Sequence, residues 1–238
     1  MEALRPCPKI SLIAAIAELA GMALAPDTDP CLFDQLKIKS LGDHMIGDVR
    51  AADLVARRVA EVNPDIIFHL AAQPLVLESY QTPLETWQTN VMGSLHIMQA
   101  IRELPGRCAV VMVTTDKVYD NLEDGSAYNE QHPLGGHDPY SASKAAMEIA
   151  VSSWRRSFLG GTDIRMASAR AGNVIGGGDW ASNRIVPDIV KALEAGQEIA
   201  VRNPETVRPW QHVLEPLAGY LALAEQLWSS DNPSFQSG

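Results

Sequence analysis

Short apolar runs alternate with helix-like stretches along this chain, and this alternation constrains the fold more than any other feature. The three clearest runs lie at residues 65–70, 109–114 and 163–170. Continuous apolar runs of this length are typical of buried parallel strands. The helices predicted around them span residues 51–62, 84–103, 139–158, 185–195 and 215–228, with one more short strand at 198–201. The pattern predicts an α/β fold with a mostly parallel sheet.

Tyr140 and Lys144 are four residues apart at the start of one predicted helix, so their side chains share a face. An ammonium near a phenol lowers the pKa of the phenol, because it favours the phenolate. Such a tyrosine can remove a proton from a sugar hydroxyl while hydride leaves the carbon. The spacing alone is common. It gains weight from the strand-like run before it, which ends in Thr-Thr-Asp-Lys at residues 114–117.

Composition narrows the class of protein. The 238 residues are 46% hydrophobic, enough for one sizeable domain. A formal net charge of -10 argues against nucleic acid or an anionic membrane as the main partner. The cysteines, Cys7, Cys31 and Cys108, lack metal-ligand spacing, and no metal site is expected. Because no run is long and apolar enough to span a bilayer, we expect a soluble, cytoplasmic protein.

Several longer motifs resemble those of the extended short-chain dehydrogenase/reductase family. They are His-Leu-Ala-Ala-Gln-Pro from residue 69, Thr-Asn-Val-Met-Gly from residue 89, Thr-Thr-Asp-Lys from residue 114 and Asp-Pro-Tyr-Ser-Ala-Ser-Lys from residue 138. Three more stretches narrow the resemblance to the dehydratases of CDP-glucose within that family, at residues 170–180, 201–204 and 208–216. The resemblance spans residues 21–228.

The resemblance implies a Rossmann-like, doubly wound, mostly parallel sheet with an incomplete C-terminal substrate-binding portion. Residues 21–170 would form the NAD-binding domain and residues 171–238 part of the substrate-binding region, after an unmatched segment at residues 1–20. NAD is the implied cofactor and CDP-glucose the implied substrate. NAD would take hydride from C4, water would leave across C5 and C6, and hydride would return to C6. A homodimer is also implied.

The resemblance also assigns catalytic roles to five residues. Tyr140 would take the proton of the C4 hydroxyl, Lys144 would tune it and hold the nicotinamide ribose, and Thr115 would orient the hydroxyl. Asp116 would protonate the departing C6 hydroxyl, which requires a raised pKa. Lys117 lies where related dehydratases carry a glutamate. It could take the C5 proton if its pKa were lowered, or stabilise the enolate as a cation.

The remaining site residues follow from the same resemblance. Tyr140 and Lys144 would share the cofactor site with Asp48, Val49, Leu70, Ala71, Ala72, Asn90 and Thr114. The substrate would contact Gln73, Asn173, Arg184, Arg202 and Arg208. Structural alternatives stay open for several of these residues: Asn90 as a structural amide, Asp116 as a turn cap, and Arg170, Arg202 and Arg208 as salt-bridge partners.

The chain departs from the family pattern at its start. The family opens with a strand and a glycine-rich turn that receives the NAD pyrophosphate. Here the first glycine is Gly21. The family also continues beyond the end of this chain by about the length of a small domain. A family member truncated at both ends is therefore expected. The alternative functions are a different NAD-dependent sugar-nucleotide epimerase or dehydratase, or an inactive fragment that pairs with a paralogue.

Overall fold

The computed structural model of the protein describes residues 17–230. Most of the segment 1–20 and the polar tail after residue 230 therefore lie outside the described residues. The strands are β1 Ala20–Ala23, β2 Asp43–Ile46, β3 Ile66–His69, β4 Cys108–Val113, β5 Ile164–Ala169, β6 Asn173–Ile175 and β7 Trp210–His212. The α-helices are α1 Leu32–Gln35, α2 Ala52–Val62, α3 Val76–Gln81, α4 Pro83–Trp87, α5 Gly93–Ile101, α6 Pro139–Ser157, α7 Ile185–Glu194 and α8 Leu214–Ser229.

Every strand pair in this part of the chain is parallel. Strands β3, β4 and β5 form a three-stranded sheet with β4 in the middle, while β1 pairs with β2 and β6 with β7. Parallel pairing brings the carboxyl ends of the strands to a common edge, where ligands bind in open α/β sheets. The predicted α/β fold with a mostly parallel sheet is confirmed.

The central strand β4 has helices on both of its faces. Cys108, Val110 and Met112 point into a core shared with α2, α5 and α6. The alternate residues Ala109 and Val111 point the other way, against α8. All five side chains are fully buried. A strand covered on both faces needs apolar residues at every position, which explains the continuous run in the sequence.

Two predicted elements differ from the structure. The helix predicted at 84–103 is interrupted by a π-helical segment, Gln88–Met92, between α4 and α5. The strand predicted at 198–201 is wrong, because these residues are exposed and pair with no strand among the described residues. The short elements β2, β6, β7, α1 and α3 were not predicted, since three to six residues carry little periodicity. Between residues 17 and 230, no helix combines the length and apolar character needed to cross a bilayer.

Candidate active site

The start of α6 fixes the direction of the tyrosine–lysine pair. Asp138 is the N-cap, and its carboxylate accepts hydrogen bonds from the Ser141 backbone N–H at 3.0 Å and the Ser141 hydroxyl at 2.6 Å. Pro139 occupies the first helical position, where a missing N–H is harmless. This cap begins the helix one residue before Tyr140, so that Tyr140 and Lys144 lie one turn apart on the same face.

Lys144 is buried, with 3% of its surface exposed. Its ammonium donates a hydrogen bond to the Val113 carbonyl at the end of β4, at 3.0 Å. Burial lowers the pKa of Lys144 to about 8, and the nearby Glu148 carboxylate opposes part of that effect. The side chain is therefore mostly an ammonium at neutral pH, held against the carboxyl end of the central strand.

Tyr140 is also buried, and the Thr115 side chain lies near enough to its hydroxyl to influence its pKa. The pKa of Tyr140 is raised, first because burial disfavours the phenolate, although the Thr115 side chain and the Arg184 charge act in the opposite direction. The sequence argument expected a lowered pKa. It differs from the structure because burial of the phenol cannot be read from the spacing of two residues.

The turn after β4 carries the other predicted catalytic residues. The Thr115 hydroxyl accepts from the Lys117 backbone N–H at 3.4 Å and lies 3.1 Å from Asp116 Oδ1. The Lys117 ammonium forms an ion pair with Asp116 at 3.3 Å and lies 3.4 Å from Asn173 Oδ1. One short turn therefore places a hydroxyl, a carboxylate and an ammonium within a few ångströms of each other.

A cleft of about 860 Å³ opens in front of this turn. That volume is in the range of small-molecule sites. Eight of the predicted site residues line the cleft: Thr114, Thr115, Lys117, Tyr140, Asn173, Arg184, Arg202 and Arg208. The arrangement combines a proton-transfer group, a cation and three guanidinium groups in one concave surface, which suits a sugar attached to a diphosphate.

Two of the cleft arginines already have protein partners. Arg184 Nη1 lies 3.1 Å from Asp179 Oδ2, on the loop that follows the glycine triplet. Arg202 donates to both the side chain and the backbone carbonyl of Asn183, at 3.0 and 3.1 Å. Both side chains are partly exposed, so a phosphate could exchange with these surface contacts at small cost.

Six of the nine predicted cofactor residues follow the carboxyl ends of β2, β3 and β4, which suits a dinucleotide lying across that edge, while Asn90, Tyr140 and Lys144 lie on helices. Asp48 forms a 2.6 Å ion pair with Arg50, and this hydrogen-bonded partner lowers the pKa of Asp48. Val49 is buried, and its carbonyl lies 2.8 Å from His96 Nδ1. Leu70, Ala71 and Ala72 follow β3, and Leu70 is half exposed. The small side chains at Ala71 and Ala72 leave the backbone accessible to a flat ligand.

Asn90 and Gln73 form hydrogen bonds with each other, and neither is among the residues that line the cleft. Asn90 lies in the π-helical segment, is fully buried, and accepts from the Gln73 backbone N–H at 2.8 Å. Its amide donates to the Ser143 hydroxyl at 2.9 Å. The Gln73 side chain donates to Thr86 at 2.8 Å. Contacts of Asn90 with cofactor and of Gln73 with substrate stay predictions.

Sequence reasoning missed Glu148 as a member of this site. It lies one turn after Lys144 on α6, and it pairs with Arg170 at 3.0 Å. Of the roles left open for Arg170 by the sequence, the structure shows the salt bridge. The spacing of four between Lys144 and Glu148 was a readable signal, because it places both side chains on one helix face.

Comparison with known proteins identifies the family to which this chain belongs. The model of the NAD dependent epimerase/dehydratase family matches residues 20–235. The chain belongs to this family. Solved structures agree on the Rossmann-like fold: a dTDP-glucose 4,6-dehydratase from Streptomyces venezuelae with NAD bound has a TM-score of 0.75 and 25% identity. The match covers 93% of this chain and 67% of that one.

Among relatives within the NAD dependent epimerase/dehydratase family, a CDP-glucose 4,6-dehydratase from Salmonella typhimurium is 44% identical over 227 residues. The match covers 93% of this chain but 63% of the Salmonella protein. A dTDP-glucose 4,6-dehydratase from Streptomyces antibioticus is 31% identical, over 87% of this chain and 56% of its own length. The chain thus spans less than two thirds of these relatives.

Proposed function

We propose that the chain acts as a CDP-glucose 4,6-dehydratase, converting CDP-glucose to CDP-4-keto-6-deoxyglucose and water. The observation that carries the proposal is the Asp116–Lys117 ion pair, which lies beside Thr115 at the cleft. An epimerase needs only to oxidise and reduce C4, whereas a dehydratase must also expel a hydroxyl from C6. A carboxyl and an ammonium beside the oxidation site supply the groups for that second step. The similarity to the Salmonella protein supports the choice of CDP-glucose.

NAD is part of the proposal, and when bound it supplies the acceptor for hydride from C4 and the donor of hydride to C6. The residues that follow β2, β3 and β4 would hold it, with Asp48 on the adenosine side and Lys144 on the nicotinamide side. The buried ammonium of Lys144 can donate hydrogen bonds to ribose hydroxyls while it favours the phenolate of Tyr140 by charge. The proposed domain division, residues 21–170 and 171–238, separates this cofactor edge from the arginine-lined side of the cleft.

The proton transfers follow from the chain's own groups. Tyr140 takes the proton of the C4 hydroxyl, and Thr115, which lines the same cleft, orients that hydroxyl. Asp116 gives a proton to the C6 hydroxyl as it leaves as water, which requires the carboxyl to be protonated and released from its ion pair with Lys117 at that step. The C5 proton goes to Lys117 if that residue is the base, and to solvent if Lys117 stays an ammonium. Arg184, Arg202, Arg208 and Asn173 line the cleft where a diphosphate would lie. Thr115, proposed for oxidation, and Asp116 and Lys117, proposed for elimination, follow one another on a single turn, so the groups for both steps lie close together.

Incubation of the folded chain with NAD and CDP-glucose in D₂O tests this function, with the products followed by NMR. A dehydratase removes the C5 proton and later replaces it, so the 4-keto-6-deoxy product should carry deuterium at C5. A 4-epimerase would instead give a C4 epimer with hydrogen retained at C5. Tyr140→Phe should abolish turnover, while Tyr128→Phe, a matched change at a tyrosine outside the cleft, should not. A folded chain that binds NAD without turnover would contradict the proposal.

The role of Lys117 can be separated with two variants. If Lys117 stabilises the enolate as a cation, Lys117→Arg should retain much of the activity and Lys117→Met should lose it. If Lys117 is the base for the C5 proton, both variants should fail, because a guanidinium does not deprotonate in proteins. The ion pair with Asp116 favours the cationic role.

A homodimer is the proposed assembly, through the faces of α3, α4 and α6. Large apolar side chains are exposed there: Leu84 at 78%, Tyr80 at 61% and Ile149 at 61%. Exposed apolar clusters of this kind are typical of contact surfaces. Leu84→Glu together with Ile149→Glu should yield a monomer by sedimentation, whereas Val207→Glu, a matched change at an exposed valine, should leave the dimer intact.

A cytoplasmic location completes the proposal. Cys31 and Cys108 are both free thiols in the described part of the chain, which suits a reducing compartment. Cell fractionation of the tagged chain would test it, and recovery in the membrane or periplasmic fraction would contradict it.

A further inference from the structure

A buried ion-pair network lies directly beneath the tyrosine–lysine pair. Glu148 is 6% exposed, and its carboxylate accepts hydrogen bonds from three side chains. The Thr114 hydroxyl donates at 2.5 Å, the Ser168 hydroxyl at 2.7 Å, and Arg170 through Nε and Nη2 at 3.0 and 3.1 Å. Four donors on one carboxylate satisfy nearly all of its acceptor capacity.

Arg170 extends the network to the turn that carries Thr115 and Asp116. Its Nη1 donates to the Tyr119 hydroxyl at 3.1 Å, and its guanidinium lies 5.0 Å from the centre of the Tyr119 ring. Tyr119 is the residue that ends the 3₁₀ turn Asp116–Val118. One carboxylate therefore connects α6, the carboxyl ends of β4 and β5, and the catalytic turn.

We propose that Glu148, held by Arg170, is a positioning residue that fixes Lys144 and the Thr115–Lys117 turn relative to each other. Glu148 and Arg170 are not among the residues that line the cleft, and the Glu148 carboxylate is occupied by its four donors, so we assign neither residue a contact with the substrate. Lys144 and Glu148 are one helical turn apart, and Thr114 immediately precedes Thr115, so a shift of the carboxylate would move both sides of the site. The catalytic consequence rests on the proposed function, but the positioning itself does not.

The carboxylate of Glu148 is also a negative charge close to Lys144, and it raises the pKa of the lysine. Tyr140 and Glu148 face Lys144 from its own helix, and His69 approaches from β3 with a pKa lowered to about 3 by burial, which keeps it neutral. Burial would raise the pKa of Glu148, but the hydrogen bonds from Arg170, Ser168 and Thr114 outweigh it and lower the pKa. The Asp116–Lys117 pair on the turn largely cancels its own charge. The carboxylate of Glu148 therefore favours the ammonium form of Lys144.

A first test needs no turnover. The chain is labelled with ¹³C at the ε-carbon of lysine, and the resonance of Lys144, assigned with Lys144→Arg, is titrated in the wild type and in Glu148→Gln. The midpoint should fall by about one pH unit in Glu148→Gln, as expected for loss of a nearby opposite charge. Glu225→Gln, a matched change on the exposed face of α8, should leave it in place. An unchanged midpoint in a folded Glu148→Gln chain would overturn the proposal.

A second test measures the single-turnover rate of hydride transfer from CDP-glucose to bound NAD. Glu148→Gln should slow this step by about 100-fold, the effect of a small misplacement at a reacting centre, with NAD affinity unchanged. Glu148→Asp, which keeps the charge, should recover part of the rate. Equal losses of rate and NAD affinity would indicate a general structural defect and contradict positioning. If the wild type itself shows no hydride transfer, the proposed function fails, and the lysine titration still decides the positioning role.

Discussion

Replacing Lys144 by methionine should stabilise the protein at neutral pH while it removes the proposed activity. Burial lowers the pKa of Lys144 from 10.5 to about 8, so the ammonium opposes folding at pH 7. A shift of that size corresponds to about 3 kcal/mol, since one pKa unit is about 1.4 kcal/mol. Methionine has a similar length and no charge. It also loses the hydrogen bond to the Val113 carbonyl, which offsets about 1–2 kcal/mol.

The net expectation for Lys144→Met is a gain of about 1–2 kcal/mol at pH 7, or a Tm higher by about 2–8 °C for a chain of this size. The pH dependence identifies the cause. The folded chain loses the Lys144 proton at about pH 8 and the unfolded chain near 10.5, so the wild type gains stability between these values as pH rises. The advantage of the variant should therefore shrink steadily above pH 8.

Urea unfolding of both chains at several pH values from 7 to 10 measures this difference directly. Other groups that titrate in the same range, such as Cys108, contribute equally to both chains and cancel. A variant that is less stable than the wild type at pH 7 would refute the reasoning, and so would an advantage that stays constant up to pH 10. Either result would mean that the ammonium is better solvated in the folded state than its burial indicates.

Three further predictions concern the frame around the site. Gly136→Ala should destabilise the chain by about 1–3 kcal/mol in urea unfolding, because φ is 118° there and an added Cβ would lie 2.5 Å from the Ala142 nitrogen. Gly106→Ala, where nothing lies within 4 Å, is its control, and equal losses would contradict the steric argument. Burial lowers the pKa of His69 to about 3, so the wild type should lose stability as pH falls from 6.5 towards 3, by up to about 1.4 kcal/mol per pH unit. His69→Gln should lack this contribution, and an acid unfolding profile identical to that of the wild type would refute the prediction. Cys108 has a pKa raised to about 12 by burial and is fully buried, so in a variant whose other cysteines are serines it should react with a thiol reagent only on unfolding, and rapid native labelling would contradict this.

The sequence predicted the elements whose residues repeat a simple pattern. The run at 109–114 is continuous because β4 is covered on both faces, and the structure places it at Cys108–Val113. Tyr140 and Lys144 lie on one face of α6 because their spacing matches the helical repeat. The conformation of the turn at Thr115–Lys117 follows from neither rule. Its place in the site was found through the motif, since a three-residue turn has no periodicity.

Properties that depend on tertiary contacts could not be predicted from the sequence. The raised pKa of Tyr140 results from burial under elements distant in sequence. The partner of Arg170 is 22 residues away on another element, so a salt bridge and a ligand contact could not be distinguished. The β6–β7 pair joins residues 173–175 to residues 210–212 across a long connection. Pairing at that separation depends on the whole fold and has no local signal.

Two of the three sheets formed by the described residues carry different proposed functions, one the chemistry and the other the binding of the adenosine end of NAD. The groups proposed for chemistry follow β4 or lie on α6, and the network of Glu148 and Arg170 fixes them to the three-stranded sheet. Asp48 and Val49, proposed for the adenosine end of NAD, follow the separate β1–β2 pair. The two sheets share the core beneath α2 and α5, against which Met22 of β1 and Ile67 of β3 both pack. Changes at the β1–β2 pair should therefore alter NAD affinity more than the geometry of Tyr140 and Lys144, so that binding and chemistry can be altered separately in this chain.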